Sequence, residues 1–455
     1  MSHVMLARAL FGMTLGYHIA YATISVGAPL LIFIAEWRFM RTGQPFYRIL
    51  AKRITLVLIL LVGVGLVTGT SVAVMLSVLW PGFMKTVGQV INLPFQIEVF
   101  AFMIESLFLA VYVYGGSRLS QRARLISTLL VAVGSGMSAL LITDVNAFMN
   151  TPTGFVWHDG QVTHAHPLLA MFNPAMPTEL AHVLASAYMT VGFVFAAVAA
   201  RGLLRKNTTS FEKEYYRRSL NLSLWVAGTM SVLTAFIGDL SGKFLEQFQP
   251  EKLAAAEGLF KTTQHAPLVI GGWPSLHTES VIGGIPVPGM LSWLATESFH
   301  GKVLGLNHFP KSTWPPLFVH LLFDSMVGIG SVGIAVAVVY LFVRLRRTNT
   351  DTPRWLLWGI TGMGLLSMIG IEDGWVFAEI ARQPWIIYGY LKVSQAVTTS
   401  PSIGWMLAGF MSLYTVLLIG TVWALRAYFK NHPLCDEDSL RPDSGTKPGK
   451  RGKTA

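Results

Sequence analysis

Charge is what this sequence has least of. Only 13% of its 455 residues are Asp, Glu, Lys or Arg, while 53% are hydrophobic. Soluble globular proteins carry about 25% charged residues, so an ordinary soluble enzyme is excluded. A disordered chain is excluded too, because disorder needs low hydrophobicity. Cysteine is nearly missing: the single thiol, Cys435, sits in a polar C-terminal stretch. That excludes a disulfide framework, a cysteine zinc cluster and a Cys-ligated iron–sulfur centre. The sequence has no P-loop, no Asp-rich nucleotide site and no internal repeat of the kind that builds a transporter from two inverted halves. A cleavable signal peptide is not expected either. The first apolar stretch runs on past residue 30 and reads as a retained helix.

Long apolar runs are there in plenty. Nine can be marked, at roughly 10–35, 54–80, 95–115, 125–145, 178–200, 219–242, 316–343, 355–378 and 402–425. Each is long enough to cross about 30 Å of hydrocarbon as a helix. Strands are excluded because the runs are continuous and do not alternate over about ten residues. The expected fold class is therefore an all-α integral membrane protein with nine transmembrane helices.

The net charge of +11 points to topology and not to nucleic acid. Five Lys/Arg fall in 36–53, three in 116–124, six in 201–218, four in 344–354 and seven from Arg426 onward. These are alternate connections, and they hold most of the 34 basic residues. Short basic connections stay cytoplasmic. The N-terminus is thus expected outside (periplasmic) and the C-terminus in the cytoplasm. The expected organisation is a membrane domain over 1–430, with one long outer connection at 243–315, and a disordered cytoplasmic tail over 431–455, which is polar and rich in Pro and Gly.

Ligand-type and ionisable side chains inside spans are costly and mark candidate sites. His18 falls in the outer part of span 1, Glu98 and Glu105 in span 3, His182 at the outer start of span 5, Met326 in the outer half of span 7 and Glu379 at the outer end of span 8. The six are expected in one layer near the outer face. Each has a plainer reading. A lone intramembrane His is often a helix–helix hydrogen bond, and most of the 19 Met are packing residues. Glu98 and Glu105 are seven apart, hence on one helical face about 10 Å apart. That suits a proton relay or a pair of interhelical hydrogen bonds. Together the six favour a haem or ion-pathway protein.

Several stretches carry a resemblance. WVFAEIARQPW (Trp375 to Trp385) resembles the W-x-x-x-E-x-G-R-Q-P-W signature of cytochrome bd-type terminal (ubiquinol) oxidase subunit I. FQPEKLAAAEG (Phe248 to Gly258) is similar to that family's quinol-loop motif Q-P-x-K-x-A-A-x-E. NAFMNTPTGF (Asn146 to Phe155), FAFMIES (Phe100 to Ser106), IPVPGMLSWLA (Ile285 to Ala295) and SMVGIG (Ser325 to Gly330) also fit, in the family's order.

The resemblance implies the haem-bearing catalytic subunit of a quinol:oxygen oxidoreductase in the bacterial cytoplasmic (inner) membrane. It implies His182 and Met326 as axial ligands of a low-spin haem b, and His18 and Glu379 as ligands of the two high-spin haems. One of those is haem b and the other haem d or a third haem b. Which of His18 and Glu379 serves the oxygen-binding haem stays open. Lys252 and Glu257 match quinol-oxidation residues of the outer loop. Glu105 and Glu98 match acids of the proton path and oxygen site, and Trp375 and Arg382 match residues lining the haem pair. The implied partners are subunit II in a membrane heterodimer, a small single-span subunit, quinol and O2, with no nucleic acid. A His/Met pair fills both axial positions and leaves electron transfer only, whereas a single ligand leaves a face open to oxygen. Protons consumed at the outer layer would come from inside through buried acids, so that quinol oxidation outside builds a proton motive force.

The sequence departs from the pattern at several points. Ala381 stands where the family usually has Gly. Glu98 and Glu105 are seven apart where eight is expected. Asp324 stands two residues before Met326, where Arg or His is common, and an acid beside a haem lowers its potential. Glu372 and Asp373 fall in a span end that is usually apolar. The loop is the short version, similar to the cyanide-insensitive branch. Two other readings remain: a bd-like oxidase fed by a non-quinol donor, and an ion-coupled transporter using Glu98, Glu105, Glu372 and Asp373.

Overall fold

The computed structural model describes residues 3–346 and 352–434. Most of the 431–455 tail, including Cys435, lies outside them. Among the described residues, nine helices are long and apolar enough to cross a membrane. They are α1 (His3–Thr42), α2 (Pro45–Leu79), α3 (Pro81–Gly115), α4 (Gln121–Asn150), α5 (Met176–Leu204), α6 (Ser210–Phe248), α7 (Val319–Arg346), α8 (Arg354–Ile380) and α9 (Ile403–Asn431). All nine expected spans are present, and most run longer than their apolar cores.

Local chemistry fixes the helix starts. Pro45 and Pro81 open α2 and α3 at the first turn, where a missing N–H costs nothing. Ser120 caps α4 by accepting from Ala123 N, and Thr209 with Glu212 forms a capping box on α6. The largest difference from expectation is α3. It begins at Pro81 and not near 95, so α2 and α3 are separated by Trp80 alone. The apolar run weakens there, but Pro at the first helical position starts a helix as readily as it ends one.

The helices pack as two four-helix rings. In the first, α1 lies against α2, α2 against α3, α3 against α4 and α4 against α1; in the second, α5 to α8 close in the same way. The rings meet where α1 and α4 pack on α5, and α9 lies against α1 and α2. Glycines permit the closest approaches. A Cβ on Gly134 of α4 would stand 2.7 Å from Glu105 N of α3, and one on Gly192 of α5 would stand 2.7 Å from Ala227 N of α6. Such small-residue contacts let helices associate where lipid tails remove the hydrophobic drive.

The helix ends sort onto two faces. Thr398 N bonds Leu79 O, and Tyr388 N bonds Met149 O, at 2.9 and 3.0 Å. Gln249 Nε2 bonds Asn150 O at 2.9 Å. The ends of α2, α4, α6 and α8 therefore share one face, the loop face. On the opposite, basic face, Arg53 at the start of α2 reaches His432 O after α9. The long loop is folded rather than loose. It holds the short helices Pro250–Ala256 and Met290–Thr296 and three two-stranded pairings, Thr263–Gln264 with Lys302–Val303, Leu268–Ile270 with Ile285–Val287, and Trp273–Ser275 with Ser280–Ile282. Two shorter hairpins, Val156–His158 with Gln161–Thr163 and Trp385–Ile387 with Leu391–Lys392, complete the loop face.

Candidate functional site

His182 and Met326 enter the second ring from α5 and α7, about 9 and 10 Å along their axes from the loop-face ends. His182 Nδ1 is buried and has no hydrogen-bond partner among the described residues. An unpaired buried imidazole nitrogen is costly. Each side chain also faces a glycine. A Cβ on Gly374 of α8 would stand 2.9 Å from Met326 Sδ, and one on Gly238 of α6 would stand 3.7 Å from His182 Cε1. An orphaned nitrogen, a thioether and two bare backbone positions fit a flat prosthetic group with N and S axial donors.

His18 lies in the first ring. Its Nδ1 is 3.1 Å from Thr68 Oγ1, and a Cβ on Gly69 would meet its ring at 3.0 Å. Glu372 reaches toward α1 from α8: its Oε2 would be 3.5 Å from a Cβ on Gly16, and its Oε1 is buried with no partner among the described residues. Asp373 turns the other way and accepts from Ser325 Oγ at 2.6 Å.

Glu379 ends α8 inside a buried polar chain. Asn146 Nδ2 donates to its Oε1, and Arg382 Nη2 to its Oε2 at 3.1 Å. Arg382 Nη1 returns to Asn146 Oδ1 at 3.1 Å. One turn on, Asn150 Nδ2 donates to Glu179 Oε1 at 2.8 Å, and Lys252 Nζ donates to Asn150 Oδ1 at 3.3 Å. Two cations and two carboxylates are thus bridged by two asparagines. Trp375 is half-buried one turn before Glu379 on the same helix.

Lys252 and Glu257 are not exposed loop residues. Their short helix packs down onto the bundle, leaving them 4% and 5% exposed. Burial lowers the Lys252 ammonium to about 8, against the opposing pull of Glu179. Burial also raises Glu257 to about 8, with the Asp324 carboxylate adding to the rise. The two do not meet. Lys252 faces Asn150 and the Phe377 ring, whereas Glu257 sits on the Asp324 side with Oε2 unpartnered among the described residues. Asp324 accepts from Gly271 N in the loop and stands 3.6 Å from His320 Nε2. A narrow cleft beside Lys252, closed to a free volume of about 0 Å³, is lined also by Gln249, Glu251, Thr313, Arg382, Trp385 and Tyr388.

Glu98 accepts from Ser138 Oγ of α4 at 2.6 Å. Glu105 is buried against Gly134. The expectation of one layer fails for Glu105 and for Glu98, which stands at the middle of α3, about 26 Å from either end. Because α3 starts early, Glu105 is about 36 Å from its loop-face end and about 15 Å from its basic-face end.

Sequence reading missed Asn146, Asn150, Glu179, Ser138 and His320. The asparagines stood four apart inside a quoted motif, and Glu179 was a carboxylate in the first turn of a span. Either signal could have found them.

The family described as cytochrome bd terminal oxidase subunit I matches residues 6–433. A putative cytochrome bd menaquinol oxidase subunit I from Bacillus subtilis (strain 168) is 45% identical over 438 residues, covering 96% of this chain and 99% of that one. A cytochrome bd ubiquinol oxidase subunit 1 from the same organism is 28% identical, covering 92% of this chain and 91% of that one. Among solved structures, the bd oxidase from Geobacillus thermodenitrificans superposes with a TM-score of 0.89 at 45% identity, covering 95% of this chain and 99% of that one.

Proposed function

The chain belongs to the cytochrome bd terminal oxidase subunit I family, and on that premise we propose that it is the haem-bearing catalytic subunit of a quinol:oxygen oxidoreductase. It is an oxidoreductase with O2 as acceptor and a multi-pass protein of the bacterial membrane. The ion-transporter reading is thereby replaced. The observation that carries the proposal is the His182–Met326 site, with its orphaned nitrogen and its facing glycines.

His182 and Met326 would hold a low-spin haem b that supplies one-electron transfer, and His18 and Glu379 would hold the two high-spin haems, one haem b and the other haem d or a third haem b, that supply oxygen reduction. The remaining steps belong to the chain's own side chains. Quinol docks at the mouth of the narrow cleft beside Lys252, and Lys252 and Glu257 hold and release its protons at the loop face. Arg382 fixes the Glu379 carboxylate through two partners, and Trp375 walls the same region. Reducing one O2 to two waters takes four protons and four electrons. Glu105 and then Glu98 pass those protons from the basic face. That face is cytoplasmic, because short basic connections stay inside, so the N-terminus is outside and the C-terminus inside. Quinol protons leave outside and oxygen protons enter from inside, which builds a proton motive force without a moving pump. Subunit II, as in other bd oxidases, and a small single-span subunit complete the assembly.

The test is a reduced-minus-oxidised difference spectrum of the purified enzyme, with oxygen consumption driven by ubiquinol and menaquinol analogues. Low-spin and high-spin haem bands with quinol-driven turnover are expected. A spectrum without haem bands overturns the proposal. Haem bands with no turnover on either quinol turn the reading to an oxidase with another donor.

A further inference from the structure

Asn150 stands between the quinol cleft and α5, and its amide orientation is set by its partners. Its oxygen faces two nitrogen donors, Lys252 Nζ at 3.3 Å and Gln249 Nε2 at 3.3 Å. Its nitrogen faces oxygens only: Glu179 Oε1 at 2.8 Å, Asn146 Oδ1 at 3.0 Å and Asn146 O at 3.2 Å. The flipped amide would lose every one of these bonds. The amide dipole therefore runs from the Glu179 carboxylate to the Lys252 ammonium.

The charges around Lys252 are few and named. Glu179 faces it from α5, and Arg382 and Glu379 from the end of α8, with the Phe377 ring 5.5 Å from Nζ. α4 contributes only the neutral Asn146 and Asn150. On its own helix, Glu251 lines the same cleft but is engaged by Thr313 Oγ1, which donates to it at 2.7 Å. Glu257 lies on the Asp324 side. Arg382 is already paired with Glu379 at 3.1 Å, so these two largely cancel at Lys252. Glu179 is left as the anion whose field Lys252 feels.

We propose that Glu179 is a positioning residue of the quinol site, which through the Asn150 amide sets the proton affinity of Lys252 and hence the pH range over which that site takes up a quinol proton. This rests on the reading of Lys252 as a quinol-oxidation residue. A quinol that gives up two electrons and two protons leaves as the quinone. Neutral Lys252 accepts one of those protons at Nζ and becomes the ammonium, the other passes to water at the loop face, and the two electrons pass one at a time to the enzyme's one-electron centres. Both forms of Lys252 must be accessible near working pH, and burial lowers it far enough for that. A carboxylate joined through one amide stabilises the ammonium and keeps burial from driving Lys252 neutral at all pH values.

The test is the pH dependence of menadiol oxidation by the purified two-subunit enzyme, from about pH 6 to about pH 10. Lys252 and Glu257 both lie near 8, so every variant is compared in a Glu257→Gln background, where the limb that is left near 8 belongs to Lys252. Lys252→Gln should abolish that limb. Glu179→Gln should move it to lower pH by about one unit, a tenfold loss of proton affinity. Asn150→Asp adds an anion at the same place and should move it to higher pH. A role in packing alone would lower the rate without moving the limb in opposite senses. The haem spectrum and oxygen consumption driven by ascorbate with a phenylenediamine mediator report integrity in every variant. If Lys252→Gln removes the limb but neither other variant moves it, the Glu179 proposal is overturned and the quinol reading stands. If Lys252→Gln leaves the limb in place, both are overturned.

Discussion

The two helix rings are built alike and charged differently. In the second ring, segments 183–200, 219–238, 325–343 and 355–371 contain no Asp, Glu, Lys, Arg or His. Its ligand-type and ionisable groups crowd the ends: His182, Met326, Glu372, Asp373 and Glu379 lie towards the loop face, and the basic residues lie at the other. In the first ring, acids reach through the span. Glu98 is bonded to Ser138, Glu105 lies deeper, and Glu36 accepts from Tyr112 OH at 2.5 Å towards the basic face. Buried acids are expensive in hydrocarbon and are kept for a use. The comparison teaches a division of labour: the second ring is suited to carry electrons through an apolar wall, the first to carry protons.

The sharpest way to break this comparison is at the axial ligands. His182→Ala or Met326→Leu should remove the low-spin haem band and reduce quinol-driven turnover to background. A full low-spin spectrum in either variant would show that the ring does not hold its group there. Gly374→Leu approaches the same site from outside the ligand set, since even a Cβ there stands 2.9 Å from Met326 Sδ. It should lower low-spin haem content while leaving the high-spin bands, as measured on purified enzyme.

In the first ring, Glu105→Gln keeps shape and hydrogen bonding but cannot release a proton. Oxygen consumption should fall about 100-fold with haem content unchanged; a near-normal rate would return Glu105 to a structural role. Ser138→Ala removes one hydrogen bond to a carboxylate, and a loss of about 1.5 kcal/mol, or roughly tenfold in rate, is expected. The smallest effect concerns the loop. Glu257 is raised to about 8, so its folded state prefers the protonated acid. That stabilisation is present in full below the unfolded carboxylate value and is lost as pH rises through about 8. Limited proteolysis of the loop should accelerate as pH rises from about 4.5 to about 8 and level off above it in wild type, and lose this dependence in Glu257→Gln.

The spans and the alternation of basic connections were legible because each rests on local pattern: apolar run length or charge count. What escaped the sequence was contact across elements. Nothing local says that Lys252 of a loop helix is buried against Asn150 of α4, or that Glu179 of α5 completes the chain. The depth of Glu105 was misjudged for a local reason, the Pro81 start of α3. Asp324 was expected to act on a haem as a bare acid, but it is engaged by Gly271 N of the loop, a contact some 50 residues away in sequence.

One measurement tests the division most directly: reduced-minus-oxidised difference spectra of the His182→Ala and Glu105→Gln enzymes, recorded side by side with wild type. The account predicts that the low-spin band disappears in the first and is untouched in the second, although both turn over slowly. A low-spin band retained in both, or lost in both, would contradict it.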